Sequence, residues 1–251
     1  MRKTAIVTGA SSGIGRALAI KLAENGYDLV ITGRRTDRLA DLEKELKKAG
    51  ADVLRLVFDV SKCEEVKSNL GTLSGKWAKI DLLVNNAGGA LGKEPIQEGA
   101  IEDWDRMIDT NVKGLLYVSR IILPMMCRNN GGHIVNLCSI AGKQVYAEGN
   151  VYCASKHAVD AISKAIRIDA LPYGVKVTNI CPGAVETEFS IVRFHGDEEK
   201  AAATYKGFTP LTAEDIADTI YYCVSLPAHV CINDLTIMPT AQADSAHFFK
   251  K

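Results

Sequence analysis

The 251-residue chain has no run approaching eighteen consecutive apolar residues, so no membrane-spanning helix is expected. It has no net charge, because thirty Lys and Arg balance thirty Asp and Glu. That balance removes any global electrostatic case for nucleic acid or an acidic surface as partner. Among its seven cysteines there is no C-x-x-C pair, and the five histidines are scattered without metal-ligand spacing, so no metal site is expected. Several cysteines fall in apolar segments, as in NLCS and NICPG, where a thiol behaves as a small hydrophobe. Internal repeats, low-complexity tracts and linkers are also missing, and Met1-Arg2-Lys3 leads into an apolar run with no signal-peptide pattern. These absences leave a cytoplasmic, reducing setting and one domain over residues 1–251. Its composition, 47% hydrophobic and 24% charged, is that of an ordinary globular protein.

What is there is alternation. Short apolar, β-branched runs read as strands at residues 4–8, 27–32, 53–60, 81–85, 133–139, 175–181 and 234–238. Amphipathic segments lie between them. Ile14 to Asn25 places Ala17, Leu18 and Leu22 on one stripe before Gly26, and Arg38 to Ala49 repeats Leu39, Leu42 and Leu46 before Gly50. Ser61-Lys62-Cys63-Glu64 reads as a capping box, and Thr212 with Asp215 starts a helix that runs to Leu226 before Pro227. Strict strand–helix alternation implies an α/β fold, a doubly wound parallel sheet of about seven strands with helices on both faces. The long stretch Ala184–Leu211 carries no clear period and is expected to be an irregular substrate loop.

The first strand runs into TGASSGIG, Thr8 to Gly15, which opens the first helix. Gly9, Gly13 and Gly15 permit a tight turn and close approach of backbone to a pyrophosphate, and the helix N-terminus offers it free N–H groups. At the end of the second strand an NAD enzyme wants a carboxylate for the ribose 2′-OH. The chain has ITGRRTDRL there, with Arg34 and Arg35. Two guanidinium groups suit a 2′-phosphate by charge and by forked hydrogen bonding, so the expected cofactor is NADP(H).

Tyr152 and Lys156 stand four apart in VYCASKHAV, with Ser139 thirteen residues before the tyrosine. On a helix, i and i+4 share a face, so the ammonium sits beneath the phenol. A free phenol has a pKa of about 10, and a cation within ~4–6 Å lowers it by about 1–3 units. Tyr152 is then expected to serve as acid for a carbonyl oxygen or base for an alcohol, with Ser139 holding that oxygen. Taken alone, Y-x-x-x-K also fits a helix with an unrelated tyrosine and lysine.

Together with NNAG at Asn85–Gly88 and Pro182-Gly183, these motifs closely resemble the short-chain dehydrogenase/reductase superfamily, over essentially the whole chain. The resemblance implies a Rossmann-type fold and a catalytic tetrad of Asn111 (in DTNVKG), Ser139, Tyr152 and Lys156. It implies that Asn111 holds a water linking the lysine to solvent. It also implies a cofactor site. Gly9, Ser11, Ser12, Gly13, Ile14 and Gly15 meet the pyrophosphate, and Asp59 and Val60 flank the adenine. Asn86, Ala87 and Gly88 line the ribose side. Tyr152 and Lys156 contact the nicotinamide half, over which Pro182, Gly183 and Thr187 close.

Finer clues concern the substrate. NNAGGALGKEP, PGAVETEFSIVRFHGD and PAHVCINDLTIMPTAQ resemble the NADP-dependent 3-hydroxy acid branch, including serine dehydrogenases. That resemblance implies small substrates of the L-serine, L-allo-threonine and 3-hydroxyisobutyrate class, interconverted with a 3-oxo acid or semialdehyde, and a homotetramer. Such a substrate needs a cation for its carboxylate, and Arg193 in the long loop is the candidate. Its alternative is an ion pair with Glu186, Glu188 or Asp197. Gly89 stands where a larger residue is expected, and Lys143-Gln144-Val145 is expected to form a variable wall of the site. The apolar tail Met238–Phe249 is expected to cover an interface between subunits. Two other functions stay open at this level: a broad carbonyl or 3-oxoacyl reductase, and an NADP-binding sensor or scaffold without turnover.

Overall fold

The computed structural model describes residues 2–251. Seven strands form one sheet: β1 (Lys3–Val7), β2 (Tyr27–Gly33), β3 (Val53–Val57), β4 (Leu82–Asn85), β5 (Gly132–Leu137), β6 (Val175–Pro182) and β7 (Asp234–Ile237). Every pairing is parallel, in the spatial order β3-β2-β1-β4-β5-β6-β7. The order reverses between β1 and β4, and such a switch point opens a crevice beyond the carboxyl ends of the strands. The central strands are buried nearly throughout, which is why they read as continuous apolar runs.

Helices cover both faces. On one side α1 (Gly13–Glu24), α2 (Thr36–Lys48) and α9 (Ala213–Ser225) bury Leu18, Leu22, Leu39, Leu42, Leu46 and Ile220 against the sheet. On the other, α3 (Cys63–Leu70), α5 (Leu115–Arg128) and α6 (Asn150–Ala170) bury Val66, Leu70, Val118, Ile122, Val159 and Ile166. Between β4 and α5 comes α4 (Ile101–Ile108), followed by a π-helical stretch, Asp109–Gly114. No helix among the described residues is long and apolar enough to cross a membrane.

Local chemistry explains the ends. Gly26 and Gly50 follow α1 and α2 with φ of +84° and +80°, the left-handed region that glycine enters at little cost. Thr212 and Asp215 start α9 as expected, and they do so by a reciprocal capping box. The box expected at Ser61 does not form. Lys62 is the N-cap of α3, the Ser61 N–H donates back to Asp59, and Glu65 accepts from the Asp59 N–H. The last three positions of the expected third strand, Phe58, Asp59 and Val60, lie beyond β3 and line a cleft.

One further expectation is corrected. Residues 184–211 are not irregular: they hold α7 (Phe189–Arg193) and α8 (Glu198–Tyr205), with the base pinned where Val185 bridges Leu211. Five- and eight-residue helices that bury only Ser190 and Ala201 leave no apolar period to read. The tail folds back on its own chain. Phe248 lies 5.1 Å from the Phe208 ring, the Gln242 side chain accepts from the Ala184 N–H, and Lys251 N–H donates to Gly207. Only Phe249 of the expected aromatic pair stays exposed.

Candidate active site

At the switch point lie two cavities of about 280 Å³ each, which meet along Ile14, Gly88, Leu137, Thr187 and Phe189. The first is walled by the carboxyl ends of β1 to β4. Gly9, Ser11, Ser12, Gly13 and Ile14 form its floor, with Arg34, Arg35, Asp59, Val60, Asn86, Ala87 and Gly88 around it. Gly15 is required by space: a Cβ there would lie 2.5 Å from the Gly9 carbonyl oxygen and would run into the Asn86 amide. That amide donates to Thr8 and Gly9 carbonyls at 2.8 and 3.2 Å, so Asn86 pins the glycine turn to β4. Ser12 is the N-cap of α1 but makes no side-chain cap, which leaves the first N–H groups of a twelve-residue helix for a ligand. Arg35 reaches Ser11 at 3.1 Å and also bonds Ser12, while Arg34 pairs with Asp59 at 3.6 Å. The glycine turn, the open helix end and two arginines beyond β2 fit a dinucleotide carrying a 2′-phosphate.

The second cavity contains Ser139, Tyr152, Lys156 and Arg193. Ser139 lies two residues beyond β5 and caps a short 3₁₀ turn, its Oγ accepting from Ala141 N–H at 3.1 Å. Because that bond uses an oxygen lone pair, the Ser139 hydrogen is free to be donated to a ligand. Tyr152 and Lys156 share a face of α6, with the Lys156 Nζ 5.9 Å from the Tyr152 ring centre and donating to the Leu137 carbonyl at 2.8 Å. Asn111, Ser139, Tyr152 and Lys156, the four side chains of the expected tetrad, are all buried.

Asn111 lies in the π-helical stretch, a geometry frequent at functional sites. Its amide donates to Gly89 O and Ser155 Oγ, and its Oδ1 accepts from Gly89 N–H. Both N–H bonds are therefore committed, and Asn111 offers a further ligand only an oxygen lone pair. Gly88 is small for a reason: a Cβ there would fall 2.9 Å from Asn111 Oδ1 and 3.5 Å from Lys156 Nζ. Gly89 takes both backbone bonds with Asn111, and no atom crowds the space where its side chain would stand.

The electrostatics overturn one expectation. The Tyr152 phenol is, on balance, not brought down. Burial pushes Tyr152 well above the usual phenol range, the nearby Tyr146 adds to it, and Ser139 and Arg193 oppose it. Burial also lowers the Lys156 ammonium. Both shifts follow from the cost of charge in a dry site. The phenol is thus held in its acid form, the form that gives a proton.

Arg193 ends α7 and makes none of the ion pairs that were its alternative. Its Nε donates to Gly92 O at 3.2 Å and its Nη1 to the Tyr146 hydroxyl at 3.0 Å. The guanidinium lies 5.6 Å from the Tyr146 ring centre and 5.8 Å from that of Tyr152. Its Nη2 is buried without a protein partner. Lys143, by contrast, leaves the site to pair with Asp160 and Asp234 at 2.6 and 2.5 Å, and Val145 faces solvent. The wall is made instead by Tyr146, one residue beyond that triplet, with Phe189, Tyr205, Gln242 and Phe248. Pro182, Gly183 and Thr187 line this cavity too. A Cβ on Gly183 would lie 2.7 Å from Met238 and would clash with Gln242, so glycine admits the tail here.

A family model described as short chain dehydrogenase matches residues 3–197. The NADP-dependent 3-hydroxy acid dehydrogenase of Salmonella typhi is 47% identical over 239 residues, 95% of either chain. Sulfoacetaldehyde reductase 2 of Chromohalobacter salexigens is 44% identical over 98% of either chain. Among solved structures, the closed form of a serine dehydrogenase complexed with NADP+ superposes with a TM-score of 0.92 at 42% identity, covering 99% of both chains.

Proposed function

The chain belongs to the short chain dehydrogenase family and is an NADP-dependent oxidoreductase acting on CH–OH donors; we propose that its substrate is a small 3-hydroxy acid, interconverted with the 3-oxo acid or semialdehyde. The observation that carries this reading is the orphaned Nη2 of Arg193. A buried charged donor without a partner costs more than about 1–3 kcal/mol, so an anion of the substrate is the natural occupant. The pocket is small and walled by aromatic rings, and Arg193 stands beside the Tyr152 ring. A hydroxyl or carbonyl on Tyr152 and an acidic group on Arg193 are then a few bonds apart, as in L-serine, L-allo-threonine or 3-hydroxyisobutyrate.

A dinucleotide held by the glycine turn, Arg34 and Arg35 would supply the hydride for reduction of the carbonyl carbon. Tyr152 Oη gives the proton to the carbonyl oxygen, and its burial keeps it protonated until that moment. The Ser139 hydroxyl donates to the same oxygen and fixes it. Lys156 holds the nicotinamide ribose and stabilises the phenolate that the transfer leaves. Asn111 Oδ1 holds a water through which Lys156 regains contact with solvent protons. In oxidation the roles reverse, and any loss of CO₂ from a 3-oxo acid follows without the enzyme. A sensor or scaffold would have no need of Ser139, Tyr152 and Lys156 converging on one cavity.

The same reading takes residues 1–251 as one cytoplasmic domain whose seven thiols are all free. It takes the assembly as a homotetramer, supported by exposed Leu116, Ile168 and Leu171 on α5 and at the end of α6.

Arg193→Leu tests the substrate. A charge-assisted contact is worth about 2–3 kcal/mol, roughly 30–150-fold in affinity. The variant should lose catalytic efficiency of that order for L-serine and 3-hydroxyisobutyrate and little for neutral alcohols of the same size. Parallel loss in both classes would make Arg193 structural and restore the broader carbonyl or 3-oxoacyl reductase reading.

A further inference from the structure

Glu188 lines the first cavity, but its carboxylate is committed to two arginines, of which Arg35 lines the same cavity and Arg38 lies three residues further on. Its Oε2 accepts from Arg35 Nη1 at 2.8 Å, and its Oε1 accepts from Arg38 in the first turn of α2. These partners are 153 and 150 positions away in sequence, so the contact joins the glycine-turn side of the fold to the substrate loop. Arg38, then Arg35, hold the Glu188 carboxyl below the usual carboxylate range, so it is charged at any working pH. Arg35 also grips Ser11 and Ser12 of the turn. An internal anion therefore occupies the guanidinium donors that a 2′-phosphate would need.

Position makes the contact consequential. Glu188 immediately precedes α7, whose last residue is Arg193, and its neighbours Thr187 and Phe189 line both cavities. A carboxylate and a phosphate dianion on one arginine pair repel each other, and the phosphate offers more acceptor oxygens and more charge. We propose that Glu188 is a placeholder for the cofactor's 2′-phosphate: it holds Arg35 and Arg38 while no phosphate is bound, and NADP, unlike NAD, displaces it. This rests on the NADP reading above. Two consequences follow. Arg38 becomes a third phosphate-binding side chain beside Arg34 and Arg35. The start of the helix that carries Arg193 is released or held according to which nucleotide is present, and such coupling between two sites is reciprocal.

The rival account is that Glu188 orients Arg35 for the phosphate, and the two accounts predict opposite signs. Adenosine 2′,5′-bisphosphate and 5′-AMP differ only in the 2′-phosphate and carry no nicotinamide, so titration calorimetry with both isolates the contact from turnover. Glu188→Gln keeps the shape and removes the charge. It should bind the bisphosphate about three- to tenfold more tightly than the unmodified protein, the scale of one or two half-exposed ion pairs, with AMP unchanged. Arg38→Ala should bind the bisphosphate several-fold more weakly, again with AMP unchanged. Weaker bisphosphate binding by Glu188→Gln, or an equal change for both nucleotides, overturns the placeholder. An Arg38→Ala protein identical to the unmodified one overturns the third ligand. If the unmodified protein binds the two nucleotides alike, the NADP premise falls first, and that result is separate from the others.

Discussion

The two cavities are equal in volume and differ in how they are made. The cofactor cleft is assembled mainly from consecutive strand ends, each delivering a short run: Gly9–Ile14 after β1, Arg34 and Arg35 after β2, Asp59 and Val60 after β3, Asn86–Gly88 after β4, with Thr187–Phe189 closing its far side. The substrate pocket is assembled from residues far apart. Arg193 is 47 positions from Tyr146 and 101 from Gly92, and Ser245 is 101 from Gln144, whose side chain accepts its N–H. One site is local turn chemistry repeated along a sheet edge. The other is a product of tertiary folding, and its walls are loop and tail. The lesson is that cofactor and reaction type can be fixed by motifs while substrate choice is left to long-range contacts.

Tyr152 stands on the seam, and removing its hydroxyl should have the largest effect of any single change. Tyr152→Phe keeps the ring that packs edge-on against Phe189 at 5.7 Å and removes the proposed proton donor. Turnover should fall by at least about 10²-fold, the usual general-acid contribution, with NADP affinity unchanged in a fluorescence titration. Near-normal turnover would move the acid elsewhere; a matching loss of cofactor affinity would mean that the two halves cannot be separated.

A smaller effect should be confined to the cofactor half. Arg35→Ser removes one half-exposed guanidinium from the phosphate cluster, and about tenfold weaker NADP binding with NAD unchanged is expected. The ratio between acidic and neutral substrates should not move. A change in that ratio would show that the halves are coupled through Glu188 more tightly than their separate construction suggests.

The same division explains what could be read in advance. The seven-stranded parallel sheet, the helices on both faces and the start of α9 follow from apolar period and turn residues, because buried parallel strands and amphipathic helices must carry those patterns. The glycine turn, Arg34 and Arg35, and the Tyr152/Lys156 pair were legible for a related reason: each is a compact motif on one element or junction. Arg193 was legible as a cation in a loop, but its partners were not. Tyr146 has no spacing that marks it, and the reading stopped at Lys143–Val145, whose lysine turns away to Asp160 and Asp234. Gln242 and Phe248 sit in a tail whose apolar residues suggested a subunit interface, since sequence does not say which surface a tail covers. The spacing of Tyr152 and Lys156 displays a charge beside a phenol but not the burial of both groups, and burial sets the direction of both shifts.

The central claim is that the substrate half selects an anion while the cofactor half selects a 2′-phosphate. Catalytic efficiency of the unmodified protein, measured with NADP and with NAD over acidic and neutral alcohols of matched size, addresses both at once. The account predicts turnover of small 3-hydroxy acids with NADP, at least about tenfold above neutral analogues and above NAD with the same acids. Equal efficiency for acidic and neutral substrates, or equal use of the two cofactors, would contradict it.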